Sequence, residues 1–427
     1  MITKLYQMNN ILRTSDLLSQ PRIYLYQNYF LYVIALLLPV FPKLLPFFIV
    51  LFGLLSIVNI IKGYNKAELG EVSILLIILY VLHVFGMFTT ENVDRGLFDL
   101  EVKLSLLAIP LSFIGFRFLT TTAFNNILKL FMLGTISNGL ICLVYATYNY
   151  FFSDLLPGRH AYYFFFSGYF STLVHPNYFA LYANFSLVIL SYLEWPIFVK
   201  GSWQNRIRSA VIAVFFTALV VFSGSKIGLI MWLVIAFGIT VLLLREVRHK
   251  WVPIITMVLL LSLVVGFIQS APTARERFFS LVRVAQRDAL DKKADDSTSA
   301  RLLVYKAGLN LVINQDWIGQ GTGDFQDALD AEYERLGYEY PLSKHLNAHN
   351  LFVQTWIALG VPGFLMIIGL FTLMFSLAFK VRDNLFLGFS GVFLIISLTE
   401  STFNVQTGVV FFAFFAVLFS RRLKVSV

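Results

Sequence analysis

Residues 347–363 read NAHNLFVQTWIALGVPG, and the apolar run they open continues through Phe379. A run of that length is more than enough to cross the ~30 Å hydrocarbon core of a bilayer as a helix. Only helices and closed barrels satisfy every backbone polar group in lipid, so this stretch predicts a membrane-spanning helix. It nevertheless starts on a histidine flanked by two asparagines. Proton-handling side chains at the mouth of a membrane helix call for an explanation.

The rest of the chain shares the apolar character. Of 427 residues, 58% are hydrophobic, 13% are charged and 44 are Phe, and the mean hydropathy is +0.75. Soluble domains average about a quarter charged residues, so the expected fold class is an all-α polytopic membrane protein. Apolar stretches long enough to span occur at about 26–42, 44–61, 72–89, 102–118, 124–151, 176–194, 207–223, 226–244, 252–270, 350–379, 385–399 and 404–420. That predicts about twelve transmembrane helices. The first two are separated only by the turn from Pro39 to Pro46, the eleventh is short, and the pair around Ser223–Lys226 could be misread as one long helix. About 25 polar residues precede the first stretch and no small-residue cleavage site follows it, so the first helix is expected to stay as an anchor. Cys142 is the sole cysteine, which excludes an internal disulfide.

Basic residues set the expected orientation. With the N-terminus inside, inward segments carry Lys4, Arg13, Arg22, Lys62, Lys66, Arg117, Lys200, Arg206 and Arg208, then Arg245, Arg248, Lys250, Lys380, Arg382, Arg421, Arg422 and Lys424. Outward loops and their edges hold only Lys43, Arg95, Lys103, Arg159 and Lys226. This is the bias of the positive-inside rule, and it places both termini in the cytoplasm. It also accounts for the net charge of +9 without a nucleic-acid partner.

One segment stands apart. Residues 271–349 form the single long hydrophilic loop, between helices nine and ten, and parity puts it outside. Within it, RLLVYKAGLNLVI places Leu302, Leu303, Tyr305, Leu309 and Val312 near helical spacing. The turn GQGTGD follows, and then DALDAEYERLG, again helical in pattern. The expected organisation is an N-terminal bundle over 1–270, a helical external cap loop over 271–349 with one apolar side on the membrane domain, and C-terminal helices over 350–427. Together they make one integrated membrane domain.

Ionisable groups at membrane depth are costly and mark function, so polar residues at outward helix ends are the candidates. Five lie on one side by topology: Lys103, His175, Lys226, Arg301 and His349. Each has a plainer role open to it. Lys103 and Lys226 could snorkel from helix ends, Arg301 could pair with Asp295 or Asp296, and His175 could cap the helix that starts at Pro176. His349 could simply bond a loop carbonyl. The spacing of His345 and His349 would put both imidazoles on one helical face, but no HExxH glutamate accompanies them. No metal site is expected. GQGTGD lacks the Lys-Ser/Thr of a phosphate-binding loop, so no nucleotide is expected either.

Three blocks in order, SGSKIGLI, STSARLLVYKAGLNLVINQDWIGQGTGDF and NAHNLFVQTWIALGVPGF, resemble the O-antigen ligase/polymerase family of bacterial envelope glycosyltransferases. They cover roughly residues 220–370; the N-terminal half is similar mainly in hydropathy. The resemblance implies transfer of a glycan from undecaprenyl diphosphate to lipid A–core, on the outer face of the bacterial inner membrane, without cofactor or metal. A polymerase, whose acceptor is another glycan, is the alternative within the family. A transporter of lipid-linked sugars is the alternative outside it, although such proteins tend to carry internal repeats and none is visible.

The chemistry suits these residues. A departing diphosphate needs fixed cations, and by the resemblance Arg301 supplies a bidentate fork. Lys226 stands where the family more often has arginine, keeping the charge and losing the fork. A sugar hydroxyl needs a base near neutral pH, a role suited to histidine and assigned to His349. Asn347 or Asn350 would fix its ring. Lys103, His175, Asn347, Asn350 and Tyr305 are expected to contact substrate, and Phe- and Leu-rich grooves among membrane lipids to hold the polyprenyl tail. The expected reaction is one inverting displacement.

Overall fold

The structure, a computed structural model, describes residues 22–116, 120–153, 161–270 and 296–425, together with 272, 274–277, 279 and 292. Lys4, Arg13, Arg117 and Arg159, Asp295 and most of the charged stretch before it fall outside the described residues. Among those described, all regular structure is helical. In chain order the helices are α1 (Arg22–Leu37), α2 (Leu45–Ile61), α3 (Glu71–Gly86), α4 (Val93–Lys103), α5 (Ser105–Ser112), α6 (Thr121–Phe152), α7 (Pro176–Leu193), α8 (Trp195–Lys200) and α9 (Trp203–Phe222). Then come α10 (Lys226–Glu246), α11 (Trp251–Ser270), α12 (Ser297–Asn314), α13 (Phe325–Leu336), α14 (Glu339–Ser343), α15 (Leu351–Val381), α16 (Asn384–Ser397) and α17 (Gln406–Val425).

Among the described residues, 7 helices are long and apolar enough to cross a membrane, and α16 is a shorter apolar helix. The protein is a multi-pass membrane protein. Eleven of the twelve apolar stretches fall on a helix; the one at 102–118 does not form a single span. There the chain breaks at Leu104 between α4 and α5, and α5 is only 8 residues long with Pro110 inside it. Proline removes a backbone donor and clashes with the preceding turn, and the Ser112 hydroxyl turns back to the Ala108 carbonyl at 2.6 Å. The tight turn SGSK, by contrast, separates α9 from α10 as the sequence suggests. Gly224 supplies its left-handed residue (φ +59°), and Ser225 caps α10 by accepting from the Gly228 amide.

The core is built around α17. Residues 409–419 of this helix are all 0–1% exposed, so it is an axial helix rather than a lipid-facing one. Phe411, Phe415 and Phe419 interleave with Phe131, Phe185 and Phe389, with ring centroids 4.8–6.2 Å apart. In lipid such packing, and not water exclusion, holds helices together. Buried amides add to it: the Gln27 amide donates to Ser56 at 2.9 Å and the Asn59 amide to Gln27 at 2.8 Å, tying α1 to α2.

Basic residues gather at one end of the bundle. Arg421 donates to the carbonyls of Glu68 and Phe113. Arg422 pairs with Asp383 at 3.2 Å and lies over the Phe124 ring at 4.4 Å.

At the other end the glycine turn stitches broken helices together. Inside α15, Gly360 adopts φ 66°, ψ −156°, and Pro362 follows it. The proline has no amide for the Ala358 carbonyl, and the break frees its neighbours. The turn takes their places: Gly321 donates to Ala358 at 3.0 Å, Gln320 to Ile357 at 2.8 Å, and Val361 donates to Trp317 at 2.8 Å. Thr322 and Gly323 extend the stitch to the end of α3, through the His83 and Gly86 carbonyls and the Thr90 hydroxyl. The GQGTGD turn is therefore a backbone clasp.

Candidate functional site

The site is assembled at the clasp end, around a residue the sequence reading passed over. Glu400 lies in the turn between α16 and α17 and is buried. Its Oε1 accepts from Arg301 Nη2 and from the Asn177 amide, both at 2.5 Å. Its Oε2 faces His349 Nδ1 at 3.4 Å. Asn177 in turn accepts from the Ser225 hydroxyl at 2.6 Å. Three separate parts of the chain thus meet at one carboxylate, and a fourth, through Ser225, holds Asn177.

Each is held by local structure. Asp296 caps α12, accepting from the Thr298 and Ser299 amides, which projects Arg301 from the second turn. Asp296 is therefore a cap, and the partner of Arg301 is Glu400. His175 caps α7 with its ring nitrogen facing the Asn177 amide at 3.4 Å, and Pro176 occupies the first helical position. Lys226, at the start of α10, donates to the Thr298 hydroxyl of α12 at 2.5 Å. It points across the site into a protein partner, unlike a lysine stretched toward water.

His349 itself is not helical. Both His345 and His349 have left-handed backbones, with φ 47° and 45°. They do not share a helix face, and each turns to a different carboxylate. His345 Nδ1 meets Asp330 at 2.7 Å. The asparagines support the backbone and leave the ring alone. Asn347 accepts from the His349 amide at 2.9 Å. Asn350 caps α15, accepting from Phe352 and Val353, and its amide donates to the Leu398 carbonyl at 3.0 Å. Tyr305 donates to the carbonyls of His349 at 3.1 Å and Leu398 at 3.0 Å. Burial pushes the Tyr305 hydroxyl up to about 12, so it stays a donor. The ring of His349 thus faces Glu400, in the place where Asn347 or Asn350 was expected.

Lys103 stands apart. It forms a buried pair with Asp99 at 2.5 Å, one turn back on α4. No hydrogen bond or ion pair among the described residues links it to Glu400, Arg301 or His349.

The electrostatics follow from these contacts. Burial alone would raise Glu400; the His349 hydrogen bond and the Arg301 charge outweigh it and hold the carboxyl below the usual range. Burial lowers His175, with Glu400 pulling the other way. Arg277 also feels Arg301, and burial with that repulsion lowers it. An ionised carboxylate can only accept, so a neutral His349 must carry its proton on Nδ1. Its Nε2 then keeps a free lone pair. Arg301 Nε is buried without a hydrogen-bond partner among the described residues. The arrangement thus brings an imidazole and a guanidinium together on one buried carboxylate, with Lys226 tied to the helix that carries Arg301.

Residues 211–368 match the O-antigen ligase family. The matched segment supports a place for this part of the chain in the O-antigen ligase/polymerase superfamily. The match spans Lys226, Arg301, the glycine clasp and His349 of the O-antigen ligase domain, while His175, Asn177 and Glu400 lie outside it. Comparison with curated protein sequences finds no match. Glu400 had one signal in the sequence: it is the sole acid between Asp383 and the C-terminus, in a short polar gap between two apolar stretches.

Proposed function

We propose that this protein is a membrane glycosyltransferase of the O-antigen ligase type. It moves a glycan from undecaprenyl diphosphate to lipid A–core at the external face of the bacterial inner membrane. The observation that carries the reading is the triad His349–Glu400–Arg301, with an Arg301 Nε that has no hydrogen-bond partner among the described residues. His349 Nε2 takes the proton of the acceptor hydroxyl as that oxygen attacks the anomeric carbon. The sugar–phosphate bond breaks on the opposite face, giving inversion, and the diphosphate leaves with the bonding electrons toward Arg301 and Lys226. Arg277 adds positive charge to the same field. His175 and Asn177 act through Glu400. The proton on His349 then passes to solvent or product phosphate.

The topology fits this reading. The end that carries Arg421 and Arg422 would be cytoplasmic by the positive-inside rule, leaving the site and the 271–349 cap external, over bundles 1–270 and 350–427. Both termini then lie inside.

The test is transfer with purified protein, undecaprenyl-diphosphate-linked glycan and lipid A–core, without nucleotide and with chelator. Glycan on lipid A–core is the expected product. Longer lipid-linked glycan would instead identify a polymerase, and donor binding without any transfer would indicate transport. Arg301→Lys keeps the charge and loses the fork. It should lower kcat/KM by roughly 10- to 100-fold, the worth of one charged hydrogen bond; undiminished activity would remove Arg301 from the diphosphate site.

Glu400→Gln separates orientation from charge. A glutamine can present its amide to Nδ1 and stabilise the wrong tautomer, so kcat should fall roughly 100-fold or more. Donor KM should not rise, because a negative charge beside the diphosphate has been removed. A rise in donor KM with unchanged kcat would show that Glu400 serves binding alone.

A further inference from the structure

The helix α12 is apolar on two opposite faces. One face, with Ala300, Leu303, Val304 and Ala307, is buried against the protein. The other carries Leu302, Lys306, Leu309 and Ile313, which are exposed and recur at positions that share one side of a helix. Trp317 and Ile318 prolong this stripe beyond the helix and are 67% and 53% exposed. Apart from Lys306 this second face is apolar, a face that calls for a cover, and among the described residues it is exposed. The sequence pattern, read as a single apolar side, underestimates this surface.

What lies beside the stripe indicates its cover. Trp317 accepts from Val361 at the break in α15. Within about two turns beyond that break, Leu365 and Ile368 are exposed on a helix apolar enough to span a membrane. Phe85 and Phe88, beside the Gly86 carbonyl that the clasp also holds, are exposed as well. The stripe therefore runs on toward the exposed apolar surface of spanning helices, with Trp317, a residue type enriched at membrane interfaces, at the junction. A lone lysine in such a stripe can lay its stem along acyl chains and reach phosphate.

We infer that the outer face of α12, from Leu302 to Trp317, lies in the interfacial layer of the bilayer, with Lys306 on lipid phosphate. Arg301 sits on the same helix, so its guanidinium is held near the depth of membrane phosphates. A lipid-borne diphosphate would reach it without leaving the bilayer. The inference does not depend on which glycan or acceptor is used.

Spin labelling of the full-length protein tests this, since Cys142 is buried and gives no competing label. Nitroxides at Ile313→Cys and, independently, Leu309→Cys are compared with one at Ala331→Cys on the exposed side of α13. Samples are nanodiscs of phosphatidylethanolamine and phosphatidylglycerol. Accessibility to oxygen should exceed that to a water-soluble nickel complex at 313 and 309, with the reverse order at 331. Nickel accessibility at 313 and 309 equal to that at 331 would place the face in water and overturn the inference. Exclusion of both reagents would show a protein cover, such as a second copy, and overturn it as well.

Discussion

Replacing His349 by alanine is expected to lower glycan transfer by roughly 10²- to 10⁴-fold, the range that a positioned general base contributes. The loss should fall on kcat, because the cations that would hold the donor, Arg301 and Lys226, are untouched. The measurement is steady-state transfer in nanodiscs at saturating donor. A loss confined to donor KM would assign the ring to binding, and full activity would remove the base from the mechanism. The backbone adds a condition to this experiment. His349 sits at φ 45°, a region that costs alanine roughly 1–2 kcal/mol. His349→Ala thus mixes lost chemistry with strain. Asparagine tolerates the left-handed region best among the non-glycine residues, so His349→Asn keeps the loop and removes the base. Both variants should show that loss of transfer, but His349→Asn should unfold at nearly the wild-type temperature.

How much of this could be read in the sequence depends on whether the signal was local. The helices were legible because membrane spans announce themselves as long apolar runs. The exception at 102–118 failed because hydropathy counts apolar residues and is blind to a break at Leu104 or to Pro110. His349, Arg301 and Lys226 were legible because they are costly residues at helix ends, and the structure brings their surroundings together through Glu400 and Thr298. Glu400 was not, because a single acid in a turn has no spacing to read; its meaning lies in partners 51 to 223 positions away in the chain. The roles of Asn347 and Asn350 were assigned to the wrong atoms for a related reason. A sequence shows that an asparagine neighbours a histidine, but only the φ of His349 reveals that the backbone is what needs holding.

Gly360→Ala is expected to have the largest effect on stability. At φ 66°, ψ −156° the residue occupies a region that is essentially glycine-only, costing another residue roughly 1–3 kcal/mol. A Cβ there would also run into the Trp317 carbonyl oxygen and Ile318 carbonyl carbon. Those are backbone atoms of the clasp and cannot rotate away. The segment would have to separate from α15, giving up the bonds from Gln320, Gly321 and Val361 in a place where lipid cannot replace them. The combined cost should exceed ~3 kcal/mol, read as a fall of several degrees in the unfolding midpoint followed by tryptophan fluorescence in nanodiscs. Gly369, nine residues further along α15, is the internal comparison: a Cβ there meets open space. Gly369→Ala should be neutral or raise stability by up to ~1 kcal/mol, since alanine favours the helix. Equal midpoints for the two variants would mean that the clasp at Gly360 does not hold the helices. Transfer by Gly360→Ala should fall together with its midpoint, because the clasp lies between α12, which carries Arg301, and α15, which begins just after His349.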